Sequence, residues 1–471
     1  MDILSSILLR MDYIAIIYFF IINFTYAALN IVAFISIRRS WFFQSVTDLE
    51  KSFQTDFYKP LSIIVPAYNE QETIVDNINS ILALHYPEFE IVVVNDGSTD
   101  NTIEVLKKSF GLISSSRNSD ARLETREVLA VYDSINYSNL VVVDKVNGGK
   151  ADSLNAGVNV AQFPLVCNID ADSLIDNQAL LKITEPFVND WRVVAAGGTI
   201  RIANDSRIVD GQVKEVKLPK KHLVRFQVVE YLRAFLFGRV GWAALNSLLI
   251  ISGAFGIFKR KHLIEAGGYR TDTVGEDMEL VLRMNRKMKE KSRDYKVVFL
   301  PDPVCWTQVP EDIQTLGRQR RRWQRGLGQS LLMNRELMLN PRYGLAGMLA
   351  YPFFFFVEFL GPLFEGLGYI SLFLTFVLGF GNRDIVFLFL ISAVLIGILV
   401  STISLFFEEI TFRKYEKTRD MLKLFLYGIL ENLGYRQLHT FWRLQGILDL
   451  VRKKGSWGEQ KRKSFSEGET V

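Results

Sequence analysis

"EIVVVNDGSTDNT", residues 90–102, sets a run of β-branched residues against a polar turn that opens on Asn95, Asp96 and Gly97. Such a run reads as a strand buried on both faces, with the acid falling where the chain leaves the sheet. The same figure repeats on either side. "LSIIVPAYNE" (61–70) ends in a polar loop, "TIVDNINSILAL" and "NTIEVLKKSF" have helical periodicity, and "NLVVVDKVNGGKADSLNAGVNVA" (139–161) passes from strand through a glycine turn to helix. "PLVCNIDADSLID" (164–176) closes the series. Strands alternating with helices predict an α/β domain with a Rossmann-like, doubly wound parallel sheet, in which ligands bind beyond the carboxyl ends of the strands. The polar, serine-rich stretch 111–128 is the most loop-like insertion.

Acids gather at those strand ends: Asp96, Asp170 and Asp172, and later Glu276 and Asp277 in "TVGEDMEL" (273–280). Neither G-x-G-x-x-G nor a Walker A loop is present. An acidic strand end repels a nucleotide diphosphate unless a divalent cation intervenes. "DAD" places two carboxylates at i and i+2, on one side of an extended segment, where both reach one hard cation; the plainer reading is that Asp172 caps the helix that follows. Lys150, just after the glycine turn, is either a solvated lysine or a phosphate contact at a helix start.

The rest of the chain is apolar in blocks. Among 471 residues, 49% are hydrophobic. Residues 13–37 carry no formal charge and are followed at once by Arg38 and Arg39, which predicts an uncleaved transmembrane anchor, with residues 1–12 as its extracytoplasmic end. Residues 38–57 form a linker and 58–315 the α/β domain. Residues 316–342 form interfacial amphipathic helices, and 343–380 is a span kinked at its prolines and glycines. A second span occupies 385–410, and 421–451, with Glu431, Arg436, His439 and Arg443, forms re-entrant or interfacial helices. A basic tail occupies 452–471. Basic residues flank the apolar blocks, which predicts a multi-pass protein of the plasma (inner) membrane with its α/β domain and tail in the cytosol. Cations beside membrane segments, and not along a soluble face, argue for a lipid bilayer as partner and against nucleic acid. Two cysteines, Cys167 and Cys305, imply no disulfide framework, and four scattered histidines give no zinc spacing.

Seven elements then fall in one order: "PAYNE" (66–70), "NDGS" (95–98), "GGKADSLNAG" (148–157), "DAD" (170–172), "SGAFGIF" (252–258), "GED" (275–277) and Q-x-x-R-W at Gln319, Arg322 and Trp323. In this the chain resembles glycosyltransferase family 2, and more narrowly its processive membrane branch of cellulose, chitin, hyaluronan and poly-N-acetylglucosamine synthases. The resemblance implies a GT-A type domain between transmembrane helices, a UDP-sugar donor, a growing glycan acceptor, and Mg²⁺ or Mn²⁺. It implies that Ala67, Tyr68, Glu70 and Asp96 line the uridine site and that Lys150 lies near the diphosphate. Asp170 and Asp172 are the implied metal pair, Asp172 the direct ligand. Asp277 is the implied base, and Ser252 and Gly253 form the acceptor-side wall. Gly275 stands where many members have threonine, and "ISGAFGIF" differs from the cysteine-containing version of cellulose synthases, which argues against cellulose.

Inverting displacement at an anomeric carbon needs a base on one face of the sugar and a stabilised leaving group on the other. Asp277 can be that base, with Glu276 beside it raising its pKa, while a metal and Lys150 take up charge on UDP. On a helix, Gln319, Arg322 and Trp323 share one face, looking into the site, with Arg322 on the diphosphate or acceptor and Trp323 on a sugar ring. Arg318, Arg321 and Arg325 share another face, free to meet lipid phosphates. Trp306 reads as a core residue. Glu358 and Glu365, seven apart, are either interfacial acids or part of a polar conduit for a glycan. The tail at Trp457 and Gly458 resembles that of hyaluronan synthases, or is a plain basic tail. Three functions compete: a processive inverting β-glycosyltransferase that elongates an exopolysaccharide from UDP-N-acetylglucosamine and threads it through the membrane, a non-processive transfer of one sugar to a polyprenyl phosphate or other lipid, and a catalytically silent nucleotide-sensing scaffold. No appended regulatory domain is legible, which leaves room for a separate export or regulatory partner.

Overall fold

The computed structural model describes residues 3–44, 58–117, 121–209, 211–380, 383–412, 415 and 417–452. The tail bearing Trp457 and Gly458, with Arg413 and Lys414, lies outside them. Among the described residues twelve strands form: β1 (Leu61–Ala67), β2 (Phe89–Asp96), β3 (Leu112–Ser114), β4 (Val128–Ser134), β5 (Leu140–Lys145), β6 (Leu165–Ile169), β7 (Ser173–Ile175), β8 (Val193–Ile202), β9 (Arg207–Val209), β10 (Gln212–Glu215), β11 (Phe255–Lys259) and β12 (Lys296–Thr307). Ten of them make one sheet in the order β3-β4-β5-β2-β1-β6-β11-β8-β12-β7. Its centre, β5-β2-β1-β6, is parallel and buried at all but single positions of three strands, which is why those strands read as continuous apolar runs.

The sheet is mixed: the outer pairs β3-β4, β4-β5 and β12-β7 are antiparallel, and β11, inside the sheet, runs antiparallel to both β6 and β8. Strand direction is not encoded in an apolar run, so the sequence does not announce the reversal. Its consequence is local: Phe255 pairs with Ile169, so the strand begins where the parallel strands end, and Ser252 and Gly253 arrive beside Asp170. The stretch expected as loop also differs, since Leu112–Ser114 pairs with β4 as an edge strand.

The first helix, Ile3–Gln44, starts ten residues before the expected span at Tyr13. Its apolar part, Ile3–Arg38, has 36 residues. At about 1.5 Å per residue it exceeds a hydrocarbon core of about 30 Å, so one end must stand clear of it. Arg383–Phe412 is the second helix long and apolar enough to cross a membrane. Between them Ala346–Phe359 and Gly361–Val377 form a pair bent by 42°, and Pro362, in the first turn of the second helix, cannot donate the hydrogen bond that would carry the first one through. Thr418–Leu430 and Arg436–Val451 follow as a helical pair broken at Leu433 and Gly434, whose φ of +108° suits glycine.

The arginine-rich helix, Ile313–Met333, starts at Asp312, whose side chain accepts from the Thr315 amide at 2.8 Å. Arg436–Val451 lies along it, and the Trp442 indole packs directly on Gly317.

Candidate active site

β2 delivers Asp96 to the sheet edge, where its carboxylate accepts from Lys145 Nζ (2.6 Å) and from the amides of Gly148 (2.9 Å) and Gly149 (2.8 Å). The fully buried Lys145 also pairs with Asp152 at 2.6 Å. Gly149, at φ +86°, turns the chain into the helix Lys150–Val160, so Asp96 sets the direction in which Lys150 points. Lys150 Nζ meets the Asp170 carboxylate and lies 3.5 Å from the Gly253 carbonyl. Asp172 is two residues on. Burial, and then the neighbouring charge of Asp170, push its carboxyl up to about 6, against the pull of Lys150.

Asp277, in the first turn of the helix Glu276–Glu290, accepts at Oδ2 from the Gly253 amide (2.9 Å). A Cβ on Gly253 would lie 3.3 Å from Lys150 Nζ and 3.4 Å from Asp277 Oδ2, so the backbone here passes in close contact with both groups. Burial, with Asp277 adding and Lys150 opposing, raises Glu276 to about 7. A carboxyl raised in the folded state contributes stability that is fully present below its ordinary value of 4.5 and lost as pH rises through about 7. Catalysis by charged acids runs the other way. Transfer is expected to rise with pH through about 7, and Glu276→Gln to shift or remove that limb; pH–rate profiles of both proteins check it, and a wild-type profile flat across that range would count against it.

Gly275 also explains its departure from threonine. A Cβ on Gly275 would sit 2.9 Å from the Gly326 carbonyl, and one on Gly326 3.0 Å from Gly275 Cα, so the two helices touch backbone to backbone. Ser330 Oγ donates to the Gly275 carbonyl (3.1 Å) and Gln329 Oε1 accepts from the Val274 amide (3.0 Å). Gly326→Ala should therefore cost about 1–3 kcal/mol through overpacking and lower turnover on the order of 10²-fold by shifting Asp277. Thermal unfolding and kcat of the purified variant test this; unchanged values would mean that the contact yields.

One cavity of 1220 Å³ gathers these groups. Ala67, Tyr68, Asp96, Lys150, Asp170, Asp172, Ser252, Gly253, Glu276, Asp277, Gln319, Arg322 and Trp323 all line it. Glu70 does not join them. It is buried with its carboxylate accepting from Thr73 Oγ1 (2.8 Å) and its amide donating to Thr102 Oγ1 (2.9 Å), so it fastens the loop behind Tyr68. From the acids the cavity continues past Glu230, Arg320 and His439 to Glu358, Glu365, Tyr369 and Asn23 among the apolar helices. Glu358 contacts the Tyr26 hydroxyl and Arg443 (3.2 Å), and Glu365 accepts from Thr440 (2.6 Å); of the two positions open to these acids, both face the cavity. Trp306 packs with Leu174 and Ala203 as core.

The arginine helix corrects its second expected face. Arg321 pairs with Asp449 (2.7 Å) and Arg325 is buried, so of the three only Arg318 stays exposed; Arg436–Val451 covers the rest, an arrangement that a helical wheel of one segment does not contain. Arg320, on neither expected face, is buried as well: it pairs with Glu230 (2.9 Å) and lies 4.2 Å over the Trp323 ring. Tyr435 (3.0 Å) and His439 (3.5 Å) reach the same Glu230. The only signal for this cluster was ionisable residues inside the apolar stretch 421–451.

Residues 165–406, half of the chain, match the model of glycosyl transferase family group 2, and residues 62–123 match that of glycosyl transferase family 2; the chain belongs to this family. It is 31% identical over 273 residues, 58% of its length, to the poly-beta-1,6-N-acetyl-D-glucosamine synthase of Staphylococcus epidermidis. To the Staphylococcus aureus (strain COL) protein of that name it is 30% identical over 280 residues, 59% of its length. The matches span 55% and 57% of those relatives' own lengths. A mannosyltransferase of Pyrobaculum calidifontis, solved with GDP-Man and Mn²⁺, superposes with a TM-score of 0.53 at 17% identity, covering 92% of this chain and 99% of that one, and so shares its GT-A-like fold.

Proposed function

We propose that this chain is a processive, inverting β-glycosyltransferase of the plasma membrane that elongates an exopolysaccharide from UDP-N-acetylglucosamine and passes the product between its own helices. The observation that carries the reading is the single cavity that joins the acids at the strand ends to Glu358 and Glu365 among the apolar helices. A transferase acting once on a lipid needs a mouth at the bilayer, whereas an elongating one needs a path away from the site. The flanking cations, by the positive-inside rule, favour a cytosolic site, where nucleotide sugars are made available.

In this reading Tyr68 covers the uracil ring, while Asp96 supports the turn that carries Lys150. Asp170 and Asp172 would hold Mg²⁺ or Mn²⁺. The fit is in the donor set: two hard oxygen donors, one of them half-buried with its carboxyl pushed up, and no cluster of three or more such ligands among the described residues, so phosphate oxygens and water would complete the shell. When bound, the ion supplies charge stabilisation for the departing diphosphate. Lys150 and Arg322 add to that from the protein side. Asp277, oriented by the Gly253 amide, takes the proton of the acceptor hydroxyl as its oxygen attacks the anomeric carbon and the bond to UDP breaks. Trp323, 43% exposed and held from behind by Arg320, offers a ring face to the acceptor sugar. Mass spectrometry of the products formed from a panel of UDP-sugars tests the assignment. A polymer of N-acetylhexosamine supports it, and an exclusive single-sugar lipid product refutes it.

A further inference from the structure

Gln324 follows Trp323 in the arginine-rich helix but is 3% exposed, and its side-chain amide is committed to other elements. Nε2 donates to the carbonyls of Phe359 (2.8 Å) and Glu358 (3.3 Å), and Oε1 accepts from Arg443 Nε (2.8 Å). The same Arg443 reaches the Glu358 carbonyl through Nη2 and the Glu358 carboxylate at 3.2 Å. These two carbonyls lie at the end of Ala346–Phe359, at the 42° bend. Pro362, four residues beyond Glu358, has no N–H to give its carbonyl, and the Leu363 amide donates to the Leu360 carbonyl (2.9 Å). A carbonyl freed in an apolar bundle costs free energy unless another donor meets it, and here Gln324 and Arg443 do so.

The three elements touch closely at this point. A Cβ on Gly446 would lie 2.7 Å from the Arg321 carbonyl and 2.8 Å from Gln324 Cβ, and one on Gly328 2.5 Å from the Phe359 ring. The node therefore fixes the membrane bend against the helix that carries Trp323, and with it Glu358, which lines the membrane arm of the cavity.

We infer that Gln324 is a positioning residue for elongation: it holds the entrance of the membrane arm in register with the Trp323 ring, so that a glycan end moved on after one transfer is aligned for the next. The inference rests on the proposed processive activity and assigns the link between acceptor site and conduit to one side chain. Among the described residues none of its hydrogen bonds goes to Asp170, Asp172, Glu276 or Asp277, so a first transfer does not depend on it.

The test uses full-length protein in detergent with radiolabelled UDP-N-acetylglucosamine and Mn²⁺. It reads the rate of the first addition to a saturating short glycan acceptor, and the number of sugars added per binding event, taken from product length when excess unlabelled acceptor competes with released chains. Gln324→Leu, which keeps the bulk and removes the polar contacts, is expected to shorten the chains about tenfold, the factor carried by about one buried hydrogen bond, with first addition within about twofold of wild type. Arg443→Lys, milder because it keeps the cation and loses only the planar fork, should act in the same direction, and decides the matter if Gln324→Leu does not fold. Pro362→Ala supplies an N–H from within the helix, so the double variant Gln324→Leu/Pro362→Ala should regain length over Gln324→Leu alone. A merely structural role would lower both quantities together. Wild-type length in either single variant, first addition falling in step with length, or no recovery in the double variant would overturn the inference. Wild type that adds one sugar and stops would overturn the processive reading itself, and the coupling with it.

Discussion

Asp277→Asn is expected to lower kcat by about 10²–10⁴-fold while the protein folds and binds UDP as before. Asparagine keeps an oxygen that can accept from the Gly253 amide as Oδ2 does at 2.9 Å, while its NH2 takes the place of Oδ1, which accepts from the Met278 amide at 2.8 Å, and the proton acceptor is lost. Turnover under donor saturation measures the effect, and UDP binding by calorimetry shows that the donor pocket is intact. A silent scaffold would work unchanged with asparagine, so retention of full function by the variant would favour that third reading over catalysis.

The second large effect concerns stability. Burial pushes the Glu230 carboxyl up, yet Arg320 and His439 outweigh it and hold the group well below the ordinary carboxylate range. Arg320 in turn is 2% exposed. Glu230→Gln should therefore leave a buried guanidinium without its counter-charge and cost about 3–5 kcal/mol, far more than removing an exposed ion pair. The pH dependence of stability follows from the same direction. A carboxylate depressed in the folded state contributes stability above its unfolded value that is lost as pH falls through its folded one, so the gap between wild type and variant should close in acid. Thermal unfolding midpoints at neutral and acidic pH measure both. A variant as stable as wild type would mean that Tyr435 and Trp323 suffice to hold Arg320. Because Arg320 braces the Trp323 ring, activity should fall with stability.

The sheet was legible because burial on both faces writes itself as runs such as Ile91–Val94, and the acids because they stand where those runs stop. Glu70 was misplaced for an instructive reason: it follows Tyr68 by two residues, but the loop turns at Asn69, with φ +56°, and sends the carboxylate back to Thr73. The reversal of β11 was illegible, since an apolar run carries no arrow. In the arginine run, a 100° wheel put Gln319, Arg322 and Trp323 on one face, and all three line the cavity, yet it assigned Arg321 and Arg325 to lipid. Their surroundings come from Arg436–Val451, more than a hundred residues away in sequence, with Asp449 as the counter-charge.

The central claim is that synthesis at the acids and passage along the cavity occur in one chain. It is tested most directly by reconstituting the purified protein in sealed vesicles with its α/β domain outward and adding radiolabelled UDP-N-acetylglucosamine with Mn²⁺ outside. A long glycan that an externally added hydrolase cannot digest until detergent opens the vesicles is the expected result. A product of one or a few sugars extractable with lipid, or a polymer left entirely outside, would contradict it.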